Sequence, residues 1–229
     1  MELAFLGTGA AYSLERYNGA VLVDRHVLLD AGAPILPHMH RLGMDPGDVD
    51  AVFLTHFHGD HLAGLIPFLC YRALEAPRPL TIVAPPGGED RISRLLGAAW
   101  GDEEWKEFQS ALPLRHQPAD GGGQVPGVRF TAVRLDHGRH GGTGYRLWFG
   151  DRLLVYAGDT EATAPLDELV QGADVAITEA TGPGAIPSHT SFDEAAALAA
   201  RHPGTRFIFN HVHHGDPPGA AHDLEVVQV

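Results

Sequence analysis

Short apolar runs separated by glycine and turn residues fill the first third of the chain. Three of them lie within residues 2–32 and predict short strands joined as hairpins or a meander. Two more compact runs predict strands at 50–54 and 79–85. Apolar residues at helical spacing predict a helix over 61–76, which Pro67 could kink or break. This third of the chain is therefore expected to form a sheet with at least one covering helix.

The middle of the chain is predicted to be helical and then to form a loop. Residues 89–112 have an amphipathic pattern typical of a helix with one buried face. The candidate buried positions are Leu95, Leu96, Trp100, Trp105 and Phe108. The stretch at 117–127 is rich in glycine and is predicted to be a loop.

Strand and helix patterns alternate again in the second half. Strands are predicted at 128–137, at 144–160 as a hairpin around Gly150-Asp151, at 174–181 and at 205–211. The clearest helix is 191–204, where Ser191 and Glu194 form a capping-box pattern before an alanine-rich run. Prolines and glycines after residue 215 predict a loose tail. This order of elements predicts an α/β fold with sheet inside and helices outside, formed by residues 1–229 as a single domain.

Composition and charge narrow the class of protein. Hydrophobic residues make up 44% and charged residues 20%, as in ordinary globular proteins. The one cysteine, Cys70, forms no internal disulfide, and neither a signal peptide nor a membrane-spanning run is visible, so we expect a cytoplasmic protein with no membrane partner. A net charge of -13 disfavours bulk nucleic-acid binding, because that binding depends on cations that neutralise phosphates. The sequence is compatible with a homodimer.

Four residues of metal-ligand type crowd into six positions directly after the apolar run at 50–54. They are His56, His58, Asp60 and His61. A loop at a strand's end lets such side chains converge, and neutral imidazole and carboxylate are ligands for zinc, iron or manganese. The same residue types end three later strands, at His137, Asp159 and His211. Together they indicate a metal site built along one edge of a sheet.

The motifs THFHGDH, LDHG, AGDT and NH occur in this order, with FLGTGAA and LLDAG near the start. They resemble the metallo-β-lactamase superfamily over most of the chain. The resemblance implies a four-layer αββα sandwich with a two-metal site at one edge of its sheets. It implies that one metal is held by His56, His58 and His137, the other by Asp60, His61 and His211, and that Asp159 bridges both. Asp30 of LLDAG would orient a ligand imidazole, although a simple turn role before Gly32 is equally compatible.

A pair of divalent metals about 3.5–4 Å apart lowers the pKa of water held between them, so hydroxide forms at neutral pH. The pair also neutralises charge on a substrate oxygen. We therefore expect a dinuclear metal-dependent hydrolase in which Asp60 serves both metal binding and catalysis. Zinc suits the His and Asp ligands best, with manganese or iron as alternatives.

Three features select a branch of the superfamily. Asp159 in place of cysteine argues against one antibiotic-degrading class, and His58 in place of glutamate argues against the di-iron branch. The segment ITEATGPGAIPSHTSFDEAAALA resembles the ribonuclease Z-like phosphodiesterases. By this resemblance His189 would protonate the leaving alkoxide or stabilise the phosphoryl oxygens, and Glu179 would hold its imidazole in position. The alternative is that His189 merely precedes the cap of the helix that follows.

Departures from that branch concern the substrate. Thr178 stands where ribonuclease Z commonly has histidine, the interval from Glu179 to His189 is short, and no long basic insertion is present to grip tRNA. We therefore expect small phosphodiesters: a cyclic nucleotide, a cyclic sugar phosphate or a short oligonucleotide end. The alternatives are a lactone or thioester hydrolase and, less favoured, a metal-loaded binding module without catalysis. Substrate contact is undecided for Arg139, His140, His213 and His214.

Overall fold

Two stacked β-sheets form the centre of the computed structural model, which describes all 229 residues. The strands are β1 (Glu2–Gly7), β2 (Ala20–Val23), β3 (Val27–Leu29), β4 (Ala51–Phe53), β5 (Leu80–Ala84), β6 (Leu114–Pro118), β7 (Gly122–Val125), β8 (Val128–Leu135), β9 (Gly142–Phe149), β10 (Arg152–Tyr156), β11 (Val175–Glu179), β12 (Arg206–Asn210) and β13 (Glu225–Gln228). The first sheet has the order β13-β1-β2-β3-β4-β5-β6 and the second has the order β12-β11-β10-β9-β8-β7.

Seven helices cover the outer faces of the sheets. They are α1 (Ile35–Arg41), α2 (Gly59–Leu62), α3 (Leu65–Leu74), α4 (Gly88–Trp100), α5 (Asp102–Ala111), α6 (Ala164–Val170) and α7 (Phe192–Arg201), with one 3-10 turn at Pro46–Asp48. None of them has the length and apolar character needed to cross a membrane.

Three apolar clusters divide the molecule into four layers. The first lies between α1, α3, α4, α5 and the first sheet, the second between the two sheets, and the third between the second sheet and helices α6 and α7. Along β1, Leu3 and Phe5 enter the cluster between the sheets, whereas Ala4 and Leu6 face the helices. Strands buried on both faces have continuous apolar runs rather than alternation, which explains the sequence pattern. The predicted αββα sandwich is confirmed.

Strand direction brings the functional motifs to one edge. Strands β3, β4, β5 and β6 are mutually parallel in the first sheet, and β10, β11 and β12 are parallel in the second. Strand β9 is antiparallel to both β8 and β10, so β8 and β10 point the same way. Ligand sites of open α/β sheets lie at the carboxyl ends of the strands. Asp159 and His211 follow closely after β10 and β12 at that edge.

Several sequence predictions about elements were wrong in detail. The helix expected over 61–76 is interrupted at Ala63 and Gly64, and Pro67 lies in the first turn of α3, where its missing N–H costs nothing. The loop expected at 117–127 contains the end of β6 and all of β7. Among the predicted buried positions, Trp105 is buried but Trp100 is 41% exposed. Helix α6 was not predicted.

The C-terminal segment is not the loose tail that its composition predicts. Strand β13 pairs with β1, and Asp223 lies just before it. One Asp223 carboxylate oxygen accepts hydrogen bonds from the Thr8 backbone N–H and hydroxyl, both at 2.8 Å, and the other accepts the Tyr17 N–H at 2.9 Å. Asp223 therefore fixes both ends of the loop between β1 and β2.

We expect Asp223→Ala to lower the free energy of unfolding by about 2 kcal/mol, because three hydrogen-bond donors of a partly buried loop lose their acceptor. Urea denaturation followed by circular dichroism measures the change. The matched control is Asp216→Ala, which removes a 60% exposed carboxylate paired with Arg16 and should cost less than about 1 kcal/mol. Equal losses for the two variants would contradict the role given to Asp223.

Candidate metal centre

The loop from β4 into α2 carries the densest set of ligand-type side chains. His58 has extended backbone and occupies the N-cap position of α2, so Asp60 and His61 lie in the first turn of that helix. His56 and His61 are buried, with relative exposures of 3% and 2%. The abrupt change from strand to helix turns these side chains toward the same space.

Two other functional residues adopt left-handed backbone directly after a strand. Asp30 follows β3 with φ 53°, and His211 follows β12 with φ 55°. Such conformations cost non-glycine residues roughly 1–2 kcal/mol, and they cluster at functional sites. Before Asp159, Gly158 has φ 64°, and a Cβ there would lie 2.6 Å from Thr55 Cγ2. Only glycine therefore fits at the position that aims Asp159.

Three imidazole nitrogens converge in the first half of the site. His58 Nδ1 lies 2.9 Å from His56 Nε2 and 3.3 Å from His137 Nε2. Asp159 Oδ2 faces the same group, 3.8 Å from His56 Nε2 and 3.9 Å from His137 Nε2. The ligand atoms of these four residues all lie within 4.8 Å of one another.

The second half is built from Asp60, His61, His211 and the other oxygen of Asp159. Asp159 Oδ1 lies 3.1 Å from His61 Nε2 and 3.2 Å from His211 Nε2. Asp60 Oδ2 lies 3.3 Å and 3.4 Å from the same two nitrogens. Asp159 therefore turns one carboxylate oxygen to each group, which is the arrangement of a bridging ligand.

Buried hydrogen bonds fix the far side of most of these rings. His61 Nδ1 donates to Asp30 Oδ2 at 2.8 Å, and Asp30 also accepts from the Thr55 N–H, the Thr55 hydroxyl and the Tyr156 hydroxyl. His137 Nδ1 donates to the Ser188 carbonyl at 2.8 Å. Such partners select the tautomer and orient the nitrogen that points inward. Asp30 thus has the orienting contact that the resemblance implied, in addition to its place in a turn.

The histidine pKa values are shifted in opposite directions in the two halves of the site. Burial, together with the neighbouring imidazoles, lowers the pKa of His56 to about 2. Burial also opposes charge on His211, but Asp159 and hydrogen bonds with Asp60 and Glu179 raise its pKa to about 10. Burial would raise the pKa of Asp159, yet the charges of His211 and His61 hold it well below its usual range. His56 thus presents a neutral imidazole, the form that binds metal, whereas protons occupy the carboxylate-rich half in the absence of metal.

The donor set fits divalent cations. His61 Nε2 and Asp159 Oδ1 are buried atoms that no hydrogen bond satisfies, and both face the space between the ligand groups. Each half offers a mixture of imidazole nitrogen and carboxylate oxygen, a combination suited to zinc, iron or manganese. A third group shares Asp159 and His211 but adds Glu179 and His189, whose ligand atoms also converge.

Glu179 links three separate segments beside the cluster. Its Oε1 accepts hydrogen bonds from the Thr160 and Thr190 N–H groups at 2.6 and 3.1 Å. Its Oε2 accepts from the Thr181 hydroxyl and, at 2.9 Å, from His189 Nδ1. The carboxylate is 2% exposed, so its charge acts in a desolvated setting. Ser191 caps α7 through the predicted capping box with Glu194, so His189 is not needed as a cap.

A cleft of about 480 Å³ opens over the cluster, and we call it the metal cleft. His58, Asp60, His137, Asp159, His189 and His211 line it, as do Tyr12, Ile186 and His213. His140 lies outside this cleft but packs its ring 5.2 Å from that of His58. Arg139 and His214 do not line it.

The sequence did not identify several contributors. Tyr156 is an apolar-pattern position in β10, and nothing in that pattern shows that its hydroxyl reaches Asp30. Ser188 contributes only a backbone carbonyl, which has no sequence signal. Tyr12 lies in the loop after FLGTGAA and is 83% exposed at the mouth of the cleft. All three depend on distant segments meeting in the fold.

Comparison with protein families gives one match over nearly the whole chain. The family model described as "Anti-Pycsar protein Apyc1" matches residues 1–215. Among curated proteins, Ribonuclease BN of Escherichia coli strain 536 is 28% identical, with 93% of this chain and 89% of that protein covered. Ribonuclease Z of Mycobacterium marinum is 29% identical, with 88% of this chain and 82% of that protein covered.

Solved structures share the fold over its full length. Human tRNase Z, short form, has a TM-score of 0.79 at 24% identity and covers 100% of this chain and 99% of its own. The metallo-β-lactamase fold protein YhfI from Bacillus subtilis has a TM-score of 0.80 at 17% identity, with 99% of each chain covered. A diphosphatase from the PhnP family has a TM-score of 0.75 at 19% identity, covering 100% of this chain and 97% of that one. The superfamily and branch expected from the motifs are confirmed.

We expect Asp30→Asn to weaken zinc affinity by about 10–100-fold, because the amide cannot accept all four hydrogen bonds and loosens His61. Competition with a chromophoric chelator measures the affinity. Asp45→Asn, which changes a carboxylate that is 50% exposed, is the control and should leave the affinity unchanged. Unchanged zinc binding in Asp30→Asn would show that the orienting contact is dispensable.

Proposed function

This chain belongs to the Anti-Pycsar protein Apyc1 family, within the ribonuclease Z-like branch of the metallo-β-lactamase superfamily, and on that premise we propose that it is a dinuclear metal-dependent phosphodiesterase. The observation that carries the proposal is Asp159, whose two oxygens face two separate ligand groups beside the His189–Glu179 pair. We further propose that residues 1–229 act as one hydrolase domain.

In the proposed site, His56, His58 and His137 hold one cation, Asp60, His61 and His211 hold the other, and Asp159 is shared. Bound zinc, our preferred metal over manganese and iron, would supply hydroxide at neutral pH and neutralise charge on the phosphoryl oxygens. Asp60 contributes to catalysis by facing both His61 and His211 from the cleft side, where it helps fix the second cation's position.

His189 is the proposed general acid. Its Nδ1 is engaged by Glu179, and the side chain is 22% exposed in the metal cleft, so Nε2 is the ring nitrogen available to a substrate. Burial alone would lower the pKa of His189, but the hydrogen bond and charge of Glu179 outweigh it and raise the pKa. A protonated imidazole can therefore deliver a proton to the leaving alkoxide as the bond from phosphorus to that oxygen breaks.

Small phosphodiesters are the proposed substrates. The curated relatives are named as ribonucleases, and one structural neighbour is described as a diphosphatase, so hydrolysis at phosphorus is common to them. The net charge of -13 opposes broad contact with a nucleic-acid backbone. A cyclic nucleotide, a cyclic sugar phosphate or a short oligonucleotide end therefore suits the cleft better than a large RNA. The cytoplasmic location and the homodimer stay predictions.

One comparison of substrates tests the reaction class. Protein loaded with zinc or with manganese is incubated with bis(p-nitrophenyl) phosphate, a lactone and a thioester, and initial rates are compared with those of chelator-treated protein. We expect metal-dependent turnover of the phosphodiester in preference to the other two. Preferred turnover of the lactone or thioester would instead support the alternative hydrolase, and no turnover of any ester with metal bound would support a binding module.

We expect His189→Ala to reduce kcat for a 3′,5′-cyclic nucleotide or a dinucleotide by about 10²–10⁴-fold, because an alkoxide needs a proton to leave. The loss for bis(p-nitrophenyl) phosphate should be less than about tenfold, since p-nitrophenolate leaves without protonation. His214→Ala, at an exposed histidine outside the cleft, is the control and should resemble the unaltered protein. If His189→Ala reduced kcat equally for both kinds of substrate, His189 would not be the general acid.

A further inference from the structure

A second cavity, of about 560 Å³, adjoins the metal centre, because His56 lines it. Its wall is formed by the start of α4, the end of β8, the segment at 119–121 and the loop at 140–143. We call it the arginine cavity, because Arg91 and Arg134 both line it. His189 does not line this cavity.

Arg91 is held at the cavity by an aromatic ring rather than by an acidic residue. Its Cζ lies 5.1 Å from the centroid of the Phe57 ring, and Phe57 stands between His56 and His58 in the chain. Arg94, one turn further along α4, pairs with Asp90 at 2.6 Å. The two arginines of the same helix therefore differ: the charge of Arg94 is compensated, whereas that of Arg91 is not.

Arg134 provides the second uncompensated cation. It is exposed near the end of β8 and packs its guanidinium against Gly141, with Nη2 3.1 Å from where a Cβ of that residue would lie. It has no ion-pair partner. The lining contains one carboxylate, that of Asp120, so the cavity is positively charged on balance in a protein whose net charge is -13.

The cavity and the metal cleft are neighbours. His56, one of the converging imidazoles, lines the arginine cavity. His140 lines it too, and its ring contacts that of His58, which lines the metal cleft. A molecule bound at the metal centre can thus contact His189 in the metal cleft and also extend into the arginine cavity.

We propose that the arginine cavity is a subsite for a second phosphate of the substrate, bound by Arg91 and Arg134. The inference rests on the proposed function. It places in this cavity the half of the phosphodiester that keeps the attacked phosphate after cleavage, which we call the retained half. The leaving half lies on the side of His189, which protonates it. The substrate class is then a phosphodiester that carries a further phosphate monoester on its retained half.

The chemistry of the lining supports phosphate rather than an uncharged group. Guanidinium groups match phosphate oxygens in paired, charge-assisted hydrogen bonds. Uncompensated arginines in an acidic protein attract anions locally while the remaining surface repels them. The volume is within the range of sites that hold a molecule of nucleoside size, and Phe57 and Pro86 offer apolar contacts for a sugar or base.

Two chromogenic esters test the subsite in the zinc-loaded full chain. One is the p-nitrophenyl ester of thymidine 5′-phosphate, and the other is the same ester with an added 3′-phosphate. Both release p-nitrophenolate, so they differ only in the second phosphate. We expect the added phosphate to raise kcat/KM by about 10–100-fold, and Arg91→Ala and Arg134→Ala each to reduce this preference by about tenfold. Arg94→Ala is the matched control and should keep the preference.

Binding gives a readout that does not depend on turnover. Calorimetric titration of the metal-free protein compares thymidine 3′,5′-bisphosphate with thymidine 5′-monophosphate. We expect the bisphosphate to bind about tenfold more tightly, and Arg91→Ala to remove the difference.

Three results would overturn the proposed subsite. They are the absence of any preference for the second phosphate, an equal reduction of kcat/KM for both esters in Arg91→Ala, and the same loss of preference in Arg94→Ala. If neither ester is hydrolysed, the proposed function fails, and the titration still decides whether the cavity binds the second phosphate.

Discussion

The buried carboxylate of Asp159 is the constraint on which the rest of the site depends. It is 2% exposed and has one oxygen toward each group of imidazoles. A buried charge is costly unless opposite charge compensates it, and here the charges of His211 and His61 lie beside it. The same surroundings suit a pair of cations, because each half of the site keeps at least one nitrogen or oxygen directed into the space between them.

The fold supplies this geometry by ending strands at one edge and bending the backbone there. Asp30 and His211 adopt left-handed conformations directly after β3 and β12, and the backbone at Gly158, just before Asp159, lies close to Thr55. Cross-linking hydrogen bonds then hold the bent segments: Asp30 joins β3, the β4 loop and β10, and Glu179 joins the segments that follow β10 and β11. Local strain at the site is thus offset by hydrogen bonds between segments distant in sequence.

Much of this arrangement could be predicted from sequence because it is encoded locally. The His-x-His-x-Asp-His stretch lies within six positions, and His137, Asp159 and His211 each follow an apolar run. The capping box at Ser191 and Glu194 is likewise a short-range signal, and it is present in α7. The positions of all seven expected ligands depend on strand direction, which the alternation of strand and helix already indicates.

The rest could not be predicted because it depends on contacts between distant segments. Strand β13 pairs with β1 across 220 to 226 residues, and the prolines and glycines that precede it in the chain predict a loose tail instead. Strand β7 contains two glycines and owes its conformation to pairing with β8 rather than to its own propensity. Arg91 and Arg134 have no motif in common, and Arg139, two residues after His137, lines neither cavity.

A crystal structure of the zinc-loaded protein, with anomalous scattering recorded at the zinc edge, would show whether Asp159 lies between two bound cations. We predict two anomalous peaks per chain, one bounded by His56, His58 and His137 and the other by Asp60, His61 and His211, with Asp159 between them. A single peak, peaks elsewhere in the molecule, or Asp159 contacting neither ion would contradict this prediction.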